Sequence, residues 1–122
     1  MKYTVVDALS ILRPGAERIV RGDVYSGIEW LDSVQTKPTE TEINNKISEL
    51  DAAEPMRLLR EERFRLLLEC DWTQGVDVPN SIKTAWQTYR QALRDLPANS
   101  TPSLDSNFDL DFSSVTWPTK PS

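Results

Sequence analysis

Residues 57–97 contain two amphipathic helical patterns separated by a short polar loop, and this pair constrains the fold more than any other stretch. In the second pattern, apolar side chains recur at the spacing of one face of an α-helix. These are Ile82, Trp86, Tyr89, Leu93 and Leu96. Asn80 or Ser81 is expected to cap this helix, and Pro97 to end it, because proline has no N–H to donate.

The first pattern is apolar on more than one side. Its apolar residues are too many for one narrow stripe: Leu59, Phe64, Leu66, Leu67 and Leu68. We therefore expect this helix to be covered on more than one side. Two such helices with a short connection form a helical hairpin, whose loop holds Trp72, Asp77 and Pro79.

The N-terminal part predicts a short helix followed by a β-hairpin. The helix is indicated by Val5, Val6, Leu9 and Leu12, and Pro14-Gly15 ends it. Two β-prone runs, residues 17–21 and 24–31, flank a turn at Gly22-Asp23. Because an isolated hairpin is marginal in water, we expect its apolar face to lie on a helix or on another chain. That face consists of Ile19, Ile28 and Trp30.

A strong helix start follows at Thr39, which forms a capping-box pattern with Glu42. The buried stripe of this helix is predicted at Ile43, Ile47 and Leu50. Pro55 then disfavours helical angles at the residue before it, so either one helix kinks there or two helices meet. We favour a kink or a short break around residues 52–56.

Residues 98–122 are rich in proline and serine but are too apolar for an inert tail. We interpret them as an extended arm that becomes ordered by docking on a groove. Residues 108–112 alternate strictly and could add to a sheet edge, while Trp117-Pro118 is the expected anchor. The predicted class is α+β, with modules at residues 1–54, 55–97 and 98–122.

Composition excludes several classes of function. The chain has no histidine and one cysteine, Cys70, and its four glycines are isolated, which leaves no usual triad, zinc site or phosphate loop. The net charge is −5 and no segment has a clustered basic face, so nucleic acid is not an expected partner. No apolar run approaches the roughly 20 residues of a membrane span, and we expect cytoplasmic synthesis. The sequence predicts no enzyme activity, cofactor or metal.

Protein binding is the remaining class. Trp86 and Tyr89 are expected to pack the two helices together, whereas the loop and the arm carry candidate partner-binding residues. The candidates are Trp72, Asp77, Phe108, Leu110, Phe112, Val115, Trp117 and Pro118.

Residues 57–118 carry motifs that closely resemble the phage tail assembly chaperone-like domain of tail-fibre assembly proteins. The motifs are LLLECDWTQ (residues 66–74), DVP (77–79), AWQTYRQALRDLP (85–97) and VTWP (115–118), in that order. The resemblance implies a non-catalytic protein that helps tail-fibre assembly in the host cytoplasm. The alternative is a permanent virion component such as a tail fibre, adaptor or baseplate subunit. Either implies binding to another phage tail or tail-fibre protein, with self-association as a further option.

The N-terminal part is similar to small phage proteins of the XkdW type. The shared motifs are DAL (residues 7–9), LRPGA (12–16), YSGIEW (25–30) and KPTETEI (37–43). This second resemblance also implies a tailed-phage structural or tail gene region.

Overall fold

The computed structural model describes residues 2–122, and its first element is the predicted short helix. Helix α1 spans Val5–Leu12. The Thr4 hydroxyl accepts the N–H of Asp7, while the Asp7 carboxylate accepts the N–H of Thr4, which makes a capping box. Val5, Ala8 and Leu9 are buried, as the helical spacing requires.

The β-hairpin forms, but its connection is longer than predicted. Strands β1 (Arg18–Val20) and β2 (Ile28–Trp30) pair antiparallel, and a short 3-10 helix at Tyr25–Gly27 precedes β2. The chain bends at the predicted turn, where Gly22 has a left-handed backbone with φ of 73°, but the prediction of a second strand from residue 24 is wrong. The Asp23 carboxylate accepts the N–H of Val5 at 2.8 Å, which ties the connection to α1.

The predicted apolar face of the hairpin is correct for two residues and wrong for Ile19. Val20 lies opposite Ile28, and these side chains pack with Trp30 against the N-terminal core. Ile19 lies opposite Glu29 on the other face and is exposed. The reason is the alternation of side chains along a strand, which places Val20, not its neighbour, on the face of Ile28.

Helix α2 spans Glu40–Glu69 and passes through Pro55 without interruption. The Thr39 hydroxyl accepts the N–H of Glu42 at 3.1 Å, as the capping pattern predicts. One helix kinked near Pro55 was one of the two alternatives, and the continuous helix agrees with it, whereas a break between two helices around residues 52–56 is wrong. The kink itself stays a prediction. Glu54 stays helical and buried because Lys2 forms an ion pair with it and the Tyr3 hydroxyl donates a hydrogen bond to it at 2.8 Å.

The chain divides into two compact units, Met1–Glu54 and Pro55–Ser122. The core of the first unit is made from α1, β2 and the start of α2. Its buried members are Val5, Ala8, Leu9, Ile28, Ile43 and Ile47. Thus the predicted stripe of α2 is confirmed at Ile43 and Ile47, whereas Leu50 is half-buried.

In the second unit, a short 3-10 helix at Asp71–Gln74 leads from α2 towards helix α3, which spans Asn80–Asp95. The expected cap at Asn80 or Ser81 is wrong, because Pro79 occupies the cap position and no side chain caps the helix. Pro97 lies inside a following 3-10 helix, Leu96–Asn99. Along residues 2–122, none of the helices is long and apolar enough to cross a membrane.

The second unit has two groups of buried residues. One group joins α2 and the 3-10 helix after α3 to the arm, through Leu59, Leu96, Leu110 and Val115. The other joins the residue that follows α2 to α3, at Cys70, Tyr89 and Leu93. Both groups rest on the helical spacing of α3, since Tyr89, Leu93 and Leu96 are the buried part of its predicted stripe.

Candidate partner-binding surface

Three large apolar side chains form an exposed line along the second half of α2 and the turn after it. Phe64, Leu68 and Trp72 are exposed to 61%, 55% and 62% respectively. Their spacing of four residues keeps them near one face, and Leu68 lies about two and a half turns after the buried Leu59, on the opposite side of the helix. We call Phe64, Leu68 and Trp72 the apolar stripe.

The apolar stripe contradicts the expectation that this helix is covered on more than one side. Within the chain, one side is covered: Leu59 and Cys70 are buried, and Leu66 and Leu67 are half-buried. Periodicity alone indicated correctly that the helix has two apolar sides. It could not indicate which side the rest of the chain covers.

The turn that carries Trp72 is held firmly on the helices. Arg90 of α3 donates a hydrogen bond to the carbonyl of Leu67 at 2.9 Å and forms an ion pair with Asp71 at 3.0 Å. The buried Thr73 hydroxyl donates to the carbonyl of Cys70 at 2.7 Å. These contacts fix the backbone on both sides of Trp72, so its indole is presented from a rigid support.

Aromatic contacts extend from Trp72 into the space between the helices. The ring centroids of Trp72 and Trp86 are 6.1 Å apart, and those of Trp86 and Tyr89 are 5.5 Å apart in an edge-to-face arrangement. Tyr89 is buried with Cys70, and burial raises the pKa of its hydroxyl. The prediction that Trp86 and Tyr89 pack the helices together is confirmed. Trp72 is the exposed end of this aromatic row.

The arm docks on the helices of its own chain. Leu110 and Val115 are buried against Leu59 and Leu96, and Trp117 packs against the same group. The expected groove therefore exists within the second unit. Leu110 and Val115 contribute to its core and are only 9% and 6% exposed, so they offer little surface to another protein.

The expectation that residues 108–112 add to a sheet edge is wrong. The Asp105 carboxylate accepts the N–H groups of Asn107 and Asp109, and Phe108 has a left-handed backbone with φ of 62°. This turn leaves a single bridge between Leu104 and Leu110 in place of a strand. Alternation of residue types alone did not reveal the Asp-Ser-Asn turn that interrupts it.

The remaining candidate residues differ in exposure. Phe108 and Phe112 are exposed to 42% and 54%, and the Phe112 ring lies 5.2 Å from that of Trp117. The Trp117 indole donates a hydrogen bond to the Phe112 carbonyl at 3.1 Å. Trp117 and Pro118 are half-buried, whereas Asp77 is exposed in the turn before α3.

Residues 116–122 follow α3 from its end towards its start. Thr116 to Thr119 line an open groove of about 500 Å³ with Ala92 and Leu96, and Pro121 and Ser122 line a second of about 330 Å³. The other residues that line this second cavity are Trp72, Ser81, Ile82, Ala85 and Trp86. We call this surface, with Glu69 of α2 beside it, the tail groove.

One ion pair joins the C-terminal segment to α2. The Lys120 ammonium lies 2.6 Å from the carboxylate of Glu69. The hydrogen bond and positive charge of Lys120 lower the pKa of Glu69, and Glu69 in turn raises the pKa of Lys120. The pairing of Lys120 with Glu69 could not be predicted from the sequence, because the two residues are 51 positions apart in the chain.

This arrangement supports binding of proteins. Among residues 2–122, no group of three or more acidic or cysteine side chains could hold a metal ion. Exposed aromatic and aliphatic side chains on rigid helices are instead the usual components of a protein interface.

A family model described as phage tail assembly chaperone protein matches residues 56–122. The matched segment includes the apolar stripe and the tail groove and makes up more than half of the chain. No curated protein and no solved structure matches the chain. The similarity of the N-terminal part to proteins of the XkdW type stays a prediction.

Proposed function

The chain belongs to the phage tail assembly chaperone family, and from this we propose that it binds a tail-fibre protein through its apolar stripe, without catalysing a reaction. Its place of action is the host cytoplasm, where tails are put together. The binding surface lies entirely within the second unit, Pro55–Ser122.

The observation that carries this proposal is the exposure of Phe64, Leu68 and Trp72 on one line. A helix that is apolar on two sides and covered on one has an apolar face left for a partner. Such a face fits an apolar groove or a second helix, in which side chains at helical spacing act as anchors.

The edges of the apolar stripe are charged, as is typical of the rim of an interface. Arg57 and Glu61 form an ion pair at 3.0 Å one turn before Phe64. Arg65 forms ion pairs with Glu62 and Glu69 at 2.6 and 2.9 Å. Within each pair, the arginine and the glutamate neutralise each other's charge. A partner therefore needs apolar surface opposite the apolar stripe, and it needs no excess of positive or negative charge.

The arm and the turn before α3 supply further contacts in this proposal. Phe108 and Phe112 are the exposed aromatic residues of the arm, and Asp77 is the exposed acid of the turn. Trp117 and Pro118 act mainly by holding the arm in place. Trp117→Ala is therefore expected to lower thermal stability.

The test uses the double substitution Phe64→Ser with Leu68→Ser in the full chain. The tagged chain is co-expressed with the tail genes of the same phage, and the co-purified tail-fibre protein is identified and quantified by mass spectrometry. We expect the amount bound at limiting concentration to fall by at least about tenfold, because each residue is an apolar anchor. The melting temperature should stay close to that of wild type, since both side chains are exposed.

The matched control is Ile11→Ser with Val34→Ser, which removes two exposed apolar side chains from the first unit. This control should bind as wild type does. Equal co-purification by the Phe64 and Leu68 variant and by wild type would show that the apolar stripe is not the binding surface.

A further inference from the structure

The C-terminal segment occupies its groove with few fixed contacts. Residues 116–122 have no regular secondary structure. Within residues 2–122, their polar contacts are the hydrogen bond of the Trp117 indole and the ion pair of Lys120. Both Lys120 and Glu69 are half-exposed to water. An exposed ion pair contributes little stability, so the packing of Trp117 is the main attachment of this segment, and a competing segment has to replace that packing.

The groove nevertheless has a defined chemistry. At one end, Trp72, Ile82 and Trp86 line an open cavity together with Pro121 and give it apolar walls. In the middle, Glu69 offers a carboxylate to Lys120. At the other end, Trp117 packs against the buried group that contains Leu96. The segment that fits this groove is thus extended and carries a cation next to a proline, with an aromatic residue before them.

Resting on the proposed binding function, we infer that the tail groove is a docking site for an extended, basic, proline-containing segment of the tail partner, which displaces residues 116–122. In the free protein, residues 116–122 of the chain itself occupy the tail groove. Charge complementarity favours this partner, because Glu69, which already pairs with Arg65 through one carboxylate oxygen, offers the other to a cation at the position of Lys120. The rigid apolar ends select proline and aromatic side chains, which lose little conformational freedom on binding.

The chain's own segment lowers the affinity of the tail groove for an added segment, and this effect can be measured. A groove that is filled for about nine-tenths of the time binds an added segment about tenfold more weakly than an open groove. Loosening the chain's own segment should therefore strengthen binding of the same segment added as a separate peptide.

The experiment measures binding of a synthetic peptide, residues 116–122 of this chain, to the full-length protein by isothermal titration calorimetry. The proteins are wild type, Lys120→Glu and Glu69→Lys. Lys120→Glu repels its own segment from Glu69, so it should bind the peptide about tenfold more tightly than wild type. Glu69→Lys should lose this binding and regain it with a peptide that carries Lys120→Glu.

Glu61→Lys is the matched control, because Glu61 is an exposed, ion-paired acid on the same helix and makes no contact with the segment in the structure. It should bind the peptide as wild type does. Equal affinity of wild type, Lys120→Glu and Glu69→Lys for the peptide would overturn the inference. A wild-type dimer that Glu69→Lys abolishes, seen by light scattering, would also overturn it in favour of exchange between two copies.

In the last step of the experiment, the tail-fibre protein identified by co-purification is added to the complex of the Lys120→Glu variant with the peptide. Displacement of the peptide supports the inference. Binding of that protein without displacement overturns it and leaves the proposed function intact. Failure of the proposed function has a different result, in which the chain captures no tail-fibre protein although the peptide still binds.

Discussion

The ion pair of Glu69 with Lys120 makes the docking of the C-terminal segment depend on pH. Lys120 lowers the pKa of Glu69 from its ordinary value of 4.5. A lowered carboxyl pKa means that the stabilisation is complete above pH 4.5 and is lost as pH falls through the lowered pKa. Glu69 raises the pKa of Lys120 from 10.5, so at alkaline pH the stabilisation is complete below 10.5 and is lost as pH rises through the raised pKa.

We therefore expect residues 119–122 to loosen in acid, at a pH below 4.5, while the packing of Trp117 does not depend on this titration. NMR signals of residues 119–122 would report this as a change towards the shifts of a free peptide. In Glu69→Gln the acid transition of these signals should disappear, because the titrating partner of Lys120 is gone. An unchanged acid transition in Glu69→Gln would mean that another group controls the segment.

Gly27 is a second single residue on which local structure depends. A Cβ atom placed there would overlap the backbone carbonyl of Arg21. That carbonyl cannot move freely, because the N–H of the same residue donates to the carbonyl of Gly27 at 2.9 Å. The close approach of two backbone segments explains why only glycine fits before β2.

Gly27→Ala is accordingly expected to lower the free energy of unfolding by about 3 kcal/mol, the upper range for an added carbon in a packed site. Chemical denaturation followed by circular dichroism measures the change. Gly75→Ala is the control, because its Cβ would meet neighbours only at ordinary contact distance, the nearest at 3.5 Å. A similar loss in both variants would contradict the close approach as the cause.

Helix α2 contains a proline that local rules place at a helix boundary. The ring of Pro55 removes one N–H from the hydrogen-bond ladder and disfavours helical angles at Glu54. Glu54 stays helical because it contacts Lys2 and Tyr3. The backbone of Tyr3 is held as well, since its N–H donates to the carboxylate of Asp51 at 3.0 Å. Tertiary contacts therefore outweigh a local preference in this element.

Pro55→Ala should stabilise the protein. Restoring the missing hydrogen bond and removing the clash of the proline ring should raise the free energy of unfolding by about 3 kcal/mol. The unfolded chain is more flexible without the proline, and this lowers the gain by up to about 1 kcal/mol. We expect a net increase of about 2 kcal/mol in the free energy of unfolding. Pro97→Ala, within the short 3-10 helix after α3, should give no comparable gain. A loss of stability in Pro55→Ala would show that the proline itself is required.

The elements that the sequence predicts well are those with local signals. Periodicity and capping residues place α1, α2 and α3, since each signal lies within the helix that it describes. The register of the hairpin was harder to predict, because Ile19 and Val20 are both apolar and only the pairing with Ile28 selects between them. Exposure of the apolar stripe could not be predicted, because it depends on which side of α2 is covered by α3 and the arm.

For the molecule as a whole, the family match covers the second unit, and the contribution of the first stays a prediction. The division of function among residues 1–54, 55–97 and 98–122 also stays a prediction. In the structure, residues 98–122 belong to the same compact unit as α3.

The proposed role in assembly predicts that the protein leaves the tail before the virion is complete. Quantitative mass spectrometry of purified virions should find it far below the copy number of the tail proteins, while lysates of infected cells contain it in quantity. A known virion protein measured in the same samples gives the reference. Stoichiometric presence in virions would instead identify a permanent fibre, adaptor or baseplate subunit.

The positions of the tryptophans give this protein an optical reporter of its own. Of the four in the chain, Trp72, Trp86 and Trp117 lie along the tail groove, whereas Trp30 is in the first unit and donates its indole N–H to the carbonyl of Gln35. Intrinsic fluorescence is sensitive to the polarity around an indole. Its emission therefore follows the emptying and filling of the groove without any attached label, against a constant background from Trp30.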